Sequence, residues 1–214
     1  MPKIVDHAER RAQIAEALVR VAAREGLHAV TMRTVAAEAG VSVSLVQYYF
    51  DTKAELLHGT LEHLERRSVE RWRERTRDAQ SSTRAIAEGF LAEALPTDAE
   101  SRAHHLVWTS YAVLAMTDPD LAAHPFVDGP NRRERELADI LADAATRGEL
   151  HPGRDHRAEA ARLLALSHGL GTSVLVGQRS TDDAHAILAY HLDRLFLPAT
   201  AGDLHPAARK EDTT

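Results

Sequence analysis

The sequence predicts an all-α fold of about nine helices: an amino-terminal three-helix helix-turn-helix unit followed by a helical body. Three observations carry this. Apolar residues recur at helical spacing along most of the chain. Eight Pro and 11 Gly among 214 residues leave long Pro-free stretches. Helix-start signals recur, and no segment shows the alternation of a convincing strand.

The first helix is expected from about His7 to Glu25, with Ile14, Leu18 and Val21 on one face and Gly26 placed to end it. Thr31 caps a second helix that stops at Gly40, and Val30 and Val35 stand at the spacing of a hydrophobic staple. Ser42 caps a short third helix to Tyr49. Thr52 and Glu55 form a capping-box pattern opening a long helix, 52–78. Later helices are expected over Ser81–Leu95, from a Thr97/Glu100 capping box to about Met116, over Arg132–Arg147, from Asp155 to about Val176, and over Thr181–Leu197. Asp118-Pro119 reads as a break and His124–Asn131 as an irregular connector. Residues 1–53 form the expected helix-turn-helix domain, 54–198 the body, and 199–214 a flexible polar tail.

Composition narrows the function classes. With 44% hydrophobic and 27% charged residues the chain is ordinary for a globular protein. The absence of Cys excludes disulfides, thiolate catalysis and Cys-based zinc sites. The amino-terminal MPKIVDHAERRAQ lacks the apolar run of a signal peptide. The longest apolar stretch, Leu163–Val176, is shorter than a membrane span and is broken by His168, Gly169 and Gly171. A cytoplasmic protein without a membrane partner is expected. No P-loop, GxSxG or HExxH pattern is present, and Gly169-Leu170-Gly171 lacks the third Gly and the preceding strand of a nucleotide loop, so no enzyme is expected. None of the 13 His stands three or four residues from another, the spacing that puts two ligands on one helical face, so neither a metal nor a cofactor is expected. A metal-sensing regulator and a helical protein-interaction module are the alternatives.

Net charge is −6, which argues against nucleic acid until its distribution is read. Residues 1–53 carry seven bases against six acids, and the remainder 19 against 26. Within that distinct first part, residues 31–50 (TMRTVAAEAGVSVSLVQYYF) read as two helices joined by a tight Gly40 turn. Val35, Ala36, Ala39, Val41, Val46 and Phe50 point inward. That leaves Ser42, Val43, Ser44, Leu45, Gln47, Tyr48 and Tyr49 on or near the outer face of a two-turn helix, an apolar load that calls for cover.

This surface suits DNA. The helix amino termini at Thr31 and Ser42 favour an anion, and the hydroxyls of Thr31, Ser44, Tyr48 and Tyr49 can bond phosphate. Lys53 in the first turn of its helix opposes the dipole unless a phosphate lies between them. Gln47, Val43 and Ser44, with Arg33, are the candidates for reading bases.

The segment from about Arg10 to Leu64 resembles the tetracycline-repressor (TetR) family of bacterial transcriptional regulators. The resemblance is carried by Ile14, Ala17, Gly26, Thr31, Val35, Ala36, Ala39, Gly40, Val41, Ser42, Val46, Tyr49, Phe50, Lys53 and Leu56-Leu57. It covers roughly a quarter of the chain; many relatives carry Tyr at the place of Gln47 and a small residue or Thr at that of Leu45, so specific base contacts do not carry over. The chain is most similar to the subgroup containing the choline-responsive repressor of the betaine pathway; TDPDLAAH and RGEL share that likeness more loosely. The resemblance implies a homodimeric repressor on a near-palindromic double-stranded operator, released by a small-molecule effector of unknown identity. The sequence adds its own hints. Leu163, Leu166, Leu170 and Val174 surround their helix, and Ile187, Leu188, Leu192 and Leu195 give the last helix a wide apolar face, so both helices are expected in a dimer interface. Phe90, Trp108, Tyr111, Met116 and His168 are expected to line an effector pocket.

Overall fold

A computed structural model describes residues 7–77, 82–123 and 125–198. Among these residues the chain forms ten α-helices, one 3-10 turn and no strand. They are α1 (His7–Glu25), the 3-10 turn Leu27–Ala29, α2 (Met32–Ala39), α3 (Val43–Tyr49), α4 (Lys53–Arg77), α5 (Thr83–Ala92), α6 (Ala99–Ala115), α7 (Pro119–Ala123), α8 (Asp128–Thr146), α9 (His156–Leu175) and α10 (Thr181–Asp193). No described helix is long and apolar enough to cross a membrane. The expected tail 199–214 lies outside the described residues, as do Asp78, Ser81 and His124.

Local chemistry explains most helix ends. The Thr31 side chain accepts from the Thr34 N–H, and the Thr34 side chain accepts in return from the Thr31 N–H. Ser42 Oγ accepts from the Leu45 N–H at 3.1 Å. Gly40, at φ 66°, takes the left-handed conformation that ends α2 and turns the chain into α3. Thr52 caps Glu55, but the Glu55 carboxylate reaches back to the Asp51 N–H at 2.9 Å, one residue beyond the Thr52 N–H.

Four readings differ from the structure. Asp118-Pro119 begins a helix as well as ending one. Asp118 Oδ1 accepts from the N–H groups of Asp120 and Leu121, and Pro119 occupies the first position, where its missing N–H costs nothing. This short α7 makes ten helices instead of nine. Helix α8 starts at Asp128, four residues early, because Pro130 in a first turn is tolerated. The cap of α6 is Asp98, paired with Ser101, not Thr97 with Glu100. Helix α10 stops at Asp193; Leu195 and Phe196 then turn back, with an antiparallel bridge between Leu150 and Phe196.

Two hydrophobic cores organise the chain. The first joins α1–α3 to the start of α4 through Ile14, Leu18, Val35, Val46, Phe50 and Leu57, and takes in Val107 and Tyr111 of α6. The second joins α5, α8, α9 and α10 through Phe90, Leu91, Leu137, Leu141, Leu163 and Leu188. Helix α4 spans both: Leu56, Leu57, Leu61 and Leu64 sit in the first, and Trp72 packs on the second, edge-on to Phe90 at 5.2 Å.

The second core absorbs much of the expected interface. Leu163, Leu170, Leu188, Leu192 and Leu195 are buried inside this subunit, covered by α5 and α8. Of the eight, only Leu166, Val174 and Ile187 keep partial exposure. The outward face of α9 is instead Ala158, Arg162, Ala165 and Gly169, with Val176 exposed just past its end, and that of α10 includes Ala186 and Tyr190.

Candidate nucleic-acid interface and core cavity

Helix α3 is seven residues long, too short to hold itself in water, and its neighbours fix it. Val46 and Phe50 are buried in the first core. Arg11 of α1 donates to the Tyr49 carbonyl at 2.6 Å and lies over the Phe50 ring at 4.2 Å. This satisfies a carbonyl that the end of α3 leaves open. Gln13 donates to the Ala39 carbonyl at the end of α2. Arg20 and Arg24 both bond Glu38, holding its carboxylate below the usual range.

The predicted reading residues fall into two groups. Thr31, Arg33, Ser42, Ser44, Gln47, Tyr48 and Lys53 are exposed, Tyr48 to 70%. Val43 and Tyr49 are half-buried, packed against the first core, and Leu45 is half-buried too. Among the described residues the side chains of Gln47 and Tyr48 make no hydrogen bond, and neither Arg33 nor Lys53 has an ion-pair partner. Tyr48 and Tyr49 meet edge-on at 5.2 Å, and His7 of α1 stacks near both. Both cations stand near helix amino termini, where a bare positive charge is disfavoured and an anion is welcome.

A cavity of about 90 Å³ lies between α4, α5, α6, α8 and α9. Phe90, Trp108 and His168 line it, and Leu61, His104 and Arg133 face it as well. Tyr111 and Met116 do not line it. Tyr111 is buried just behind, its hydroxyl 3.0 Å from His58 Nε2 and accepting the Phe126 N–H at 2.7 Å. Met116 follows the last turn of α6 and is 79% exposed, because the helix has left the core by then. His105 is buried and bonded: its Nδ1 donates to the Ala94 carbonyl, leaving Nε2 to accept from Thr172. Burial lowers the pKa of His104 to about 3 and that of His168 to about 4; Arg71 acts in the same direction on His104, and Arg133 on both. No group of three or more His, Asp or Glu among the described residues is arranged to hold a metal ion.

Arg133 carries no signal in the sequence, and His104, with His105, reads there as a surface or hydrogen-bonded residue, whereas the structure sets His104 on the cavity wall. Arg133 sits in the run Arg132-Arg133-Glu134-Arg135-Glu136, which looks like a solvated helix face.

Comparison with known proteins now decides the family. The model of BetI-type transcriptional repressor carboxy-terminal domains matches residues 83–197, and that of tetR-family bacterial regulatory proteins matches residues 14–60. The chain belongs to the TetR family, in its BetI-type branch. It is similar to the HTH-type transcriptional regulator PksA of Bacillus subtilis, 29% identical over 94% of this chain and 96% of that protein. It is also similar to the regulator BetI of Paraburkholderia phytofirmans, 27% identical over 79% of this chain and 84% of that one. Among solved structures, one described as a TetR-family regulator from Rhodococcus sp. superposes with a TM-score of 0.76 at 26% identity, covering 86% of this chain and 97% of its own. A regulator from Saccharomonospora viridis, crystallised with choline, gives 0.75 at 24% identity, covering 89% and 100%. This TetR-family chain is therefore a DNA-binding transcriptional regulator, and most of its cavity lining lies within the region that the BetI-type model matches, with Leu61, Glu65 and Ser68 of α4 completing it.

Proposed function

We propose that the chain is a homodimeric repressor that sets one α3 from each copy in adjacent major grooves of a near-palindromic operator, and that a small molecule in the cavity releases it. The observation that carries this reading is the exposed set Arg33, Gln47, Tyr48 and Lys53, whose side chains make no hydrogen bond or ion pair among the described residues, around a short helix held in place by Arg11 and Phe50. Thr31, Ser42, Ser44, Tyr48, Tyr49 and Lys53 serve phosphate; Gln47 reads a base edge, with Val43, Ser44 and Arg33 beside it. The amino-terminal unit through residue 53 is the reading head, and the body beyond it holds the effector and the dimer contact.

The dimer forms through the small-residue face of α9 and α10. Ala165 and Gly169 present no bulk, and a Cβ at Gly169 would meet nothing within 4 Å, so a partner helix has room to approach. Exposed Val176 and Tyr190, with the half-buried Leu166, Val174 and Ile187, supply apolar area.

Effector release requires the ligand to prefer a conformation that does not bind DNA. Helix α4 supports that coupling, since Leu61 and Glu65 line the cavity and Leu56 and Leu57 anchor the head. The test is a gel shift with the DNA upstream of the chain's own gene at several salt concentrations. Specific retardation that weakens steeply with salt supports the reading. Absence of specific retardation at low salt sinks it.

A further inference from the structure

With the cavity taken as the effector site, the hydrogen-bonding capacity left unspent around it indicates the charge of the molecule it holds. Two carboxylates line the cavity, and both are already matched. Glu65 receives a two-pronged fork from Arg132, at 2.6 and 3.1 Å. Glu93 accepts from Ser68 and Arg71 on one oxygen, and its charge is paired with Arg75 as well. Neither is left to balance a cation.

The donors are in the opposite condition. The Arg133 side chain is 14% exposed and spends one nitrogen, Nη1, on Glu136 at 2.9 Å. The rest of its five-donor fork has no acceptor among the described residues, though the guanidinium lies 3.6 Å over the Phe90 ring. His104 and His168 line the same cavity and make no side-chain hydrogen bond among the described residues. Their depressed pKa values keep both rings neutral, so each carries one N–H and one bare nitrogen. The charges that lower them, Arg71 and Arg133, would oppose a cationic ligand for the reason that they oppose a proton. The Phe90 face, one of the surfaces on which a quaternary ammonium could rest, is already covered by Arg133.

We propose that the cavity binds a small organic acid, its carboxylate on the free edge of the Arg133 fork with His104 and His168 as further donors, and its apolar body against Leu61, Trp108 and Phe126. A guanidinium fork matches a carboxylate in plane and spacing, and the charge-assisted bonds it makes are the strong ones. A cavity of about 90 Å³ suits an apolar part the size of a short branched chain or a single small ring. The proposal rests on the effector reading of this cavity and sets the chain apart from a choline-type ligand.

The experiment is isothermal titration calorimetry on the full chain near neutral pH with sodium benzoate, sodium isobutyrate, choline chloride and benzyltrimethylammonium chloride. It is repeated on Arg133→Met, Arg133→Lys and His104→Phe after circular dichroism has confirmed folding. A gel shift on the upstream DNA is run with the same four probes. The expected result is binding of a carboxylate, weakened tenfold or more in Arg133→Met, less in Arg133→Lys, and unmatched by either ammonium. Should Arg133→Met not fold, Arg133→Lys and His104→Phe carry the test through the lost fork and the lost N–H. Binding of an ammonium with the carboxylates silent overturns the ligand class and leaves the effector site standing. Carboxylate affinity unchanged in every folded variant also overturns it. A carboxylate that binds through Arg133 without altering DNA affinity upholds the ligand class and sinks the effector reading. Silence of all four probes overturns both.

Discussion

At the scale of single residues, the head separates two kinds of contact that mutate differently. Lys53 is an exposed cation with no ion-pair partner among the described residues. Lys53→Ala should weaken binding to all DNA sequences alike and lower the salt-dependence slope by about 1, read from gel shifts at graded salt. Gln47 is exposed at the middle of α3, where an amide can bond an adenine edge twice. Gln47→Ala should alter which sequences a selection from random DNA recovers; recovery of an unchanged preferred sequence would remove Gln47 from base reading. A different constraint acts at Gly171. A Cβ there would run into the His105 ring and come within 2.8 Å of the Ala94 carbonyl oxygen, which cannot move without shifting the end of α5. Gly171→Ala should cost about 1–3 kcal/mol by overpacking, seen as a lower midpoint in urea, while Gly169→Ala, facing open space, should cost little within a subunit.

At the scale of elements, the proposed coupling between cavity and reading head has a physical route through α6 and α4. Phe126 lines the cavity and its N–H is held by the Tyr111 hydroxyl, which also meets His58 in the second turn of α4. A ligand that displaces Phe126 therefore pulls on α4 near the base of the reading head. Tyr111→Phe keeps the ring and deletes this bond. It should leave operator affinity in the absence of ligand nearly unchanged and shrink the difference in affinity with and without bound effector, measured by gel shift; an undiminished response would exclude this route. The same scale shows what the sequence could and could not tell. Caps at Thr31, Ser42, Thr52 and Asp155 were legible because capping is a contact three or four residues long. Residue burial in the first core was legible for the same local reason, with Val30, Val35, Val46 and Phe50 all inside. Periodicity reports only that a face is apolar, not which neighbour covers it. Leu163 and Leu188 therefore looked like interface and proved to be core. The cavity draws Leu61, Phe90, Trp108, Arg133 and His168 from five helices, a convergence that no local pattern encodes.

For the whole molecule, assembly and acid sensitivity follow from what lies on the surface and what is shut inside. The α9/α10 face is the proposed dimer contact, so a carboxylate in its centre should separate the copies. Ala165→Glu should sediment as a monomer and lose cooperative operator binding, and a variant that stays dimeric would place the contact elsewhere. Acid sensitivity comes from the interior. Burial lowers the pKa of His63, His104, His105 and His168, to about 3 for His104 and about 4 for His168. Around the cavity pair stand Arg71 of α4, Arg133 of α8 and His105, while the carboxylate of Glu65 is held by Arg132 and that of Glu93 by Arg71 itself and Arg75. Unfolded, these histidines titrate near 6.5. Below that pH the unfolded chain takes up protons that the folded chain refuses, so stability falls as pH drops from about 6.5 toward 4, and further toward 3 for His104. The carboxylates act in a lower window. Glu38 and Asp98 have depressed pKa values, so their contribution is complete above the usual carboxylate range and fades only as pH falls through and below it. The first loss on acidification therefore belongs to the histidines. The melting temperature should drop between pH 7 and pH 5, and the drop should be smaller in the double variant His104→Gln with His168→Gln, whose side chains do not titrate. An equal drop in both proteins would assign the acid sensitivity to groups other than the cavity pair.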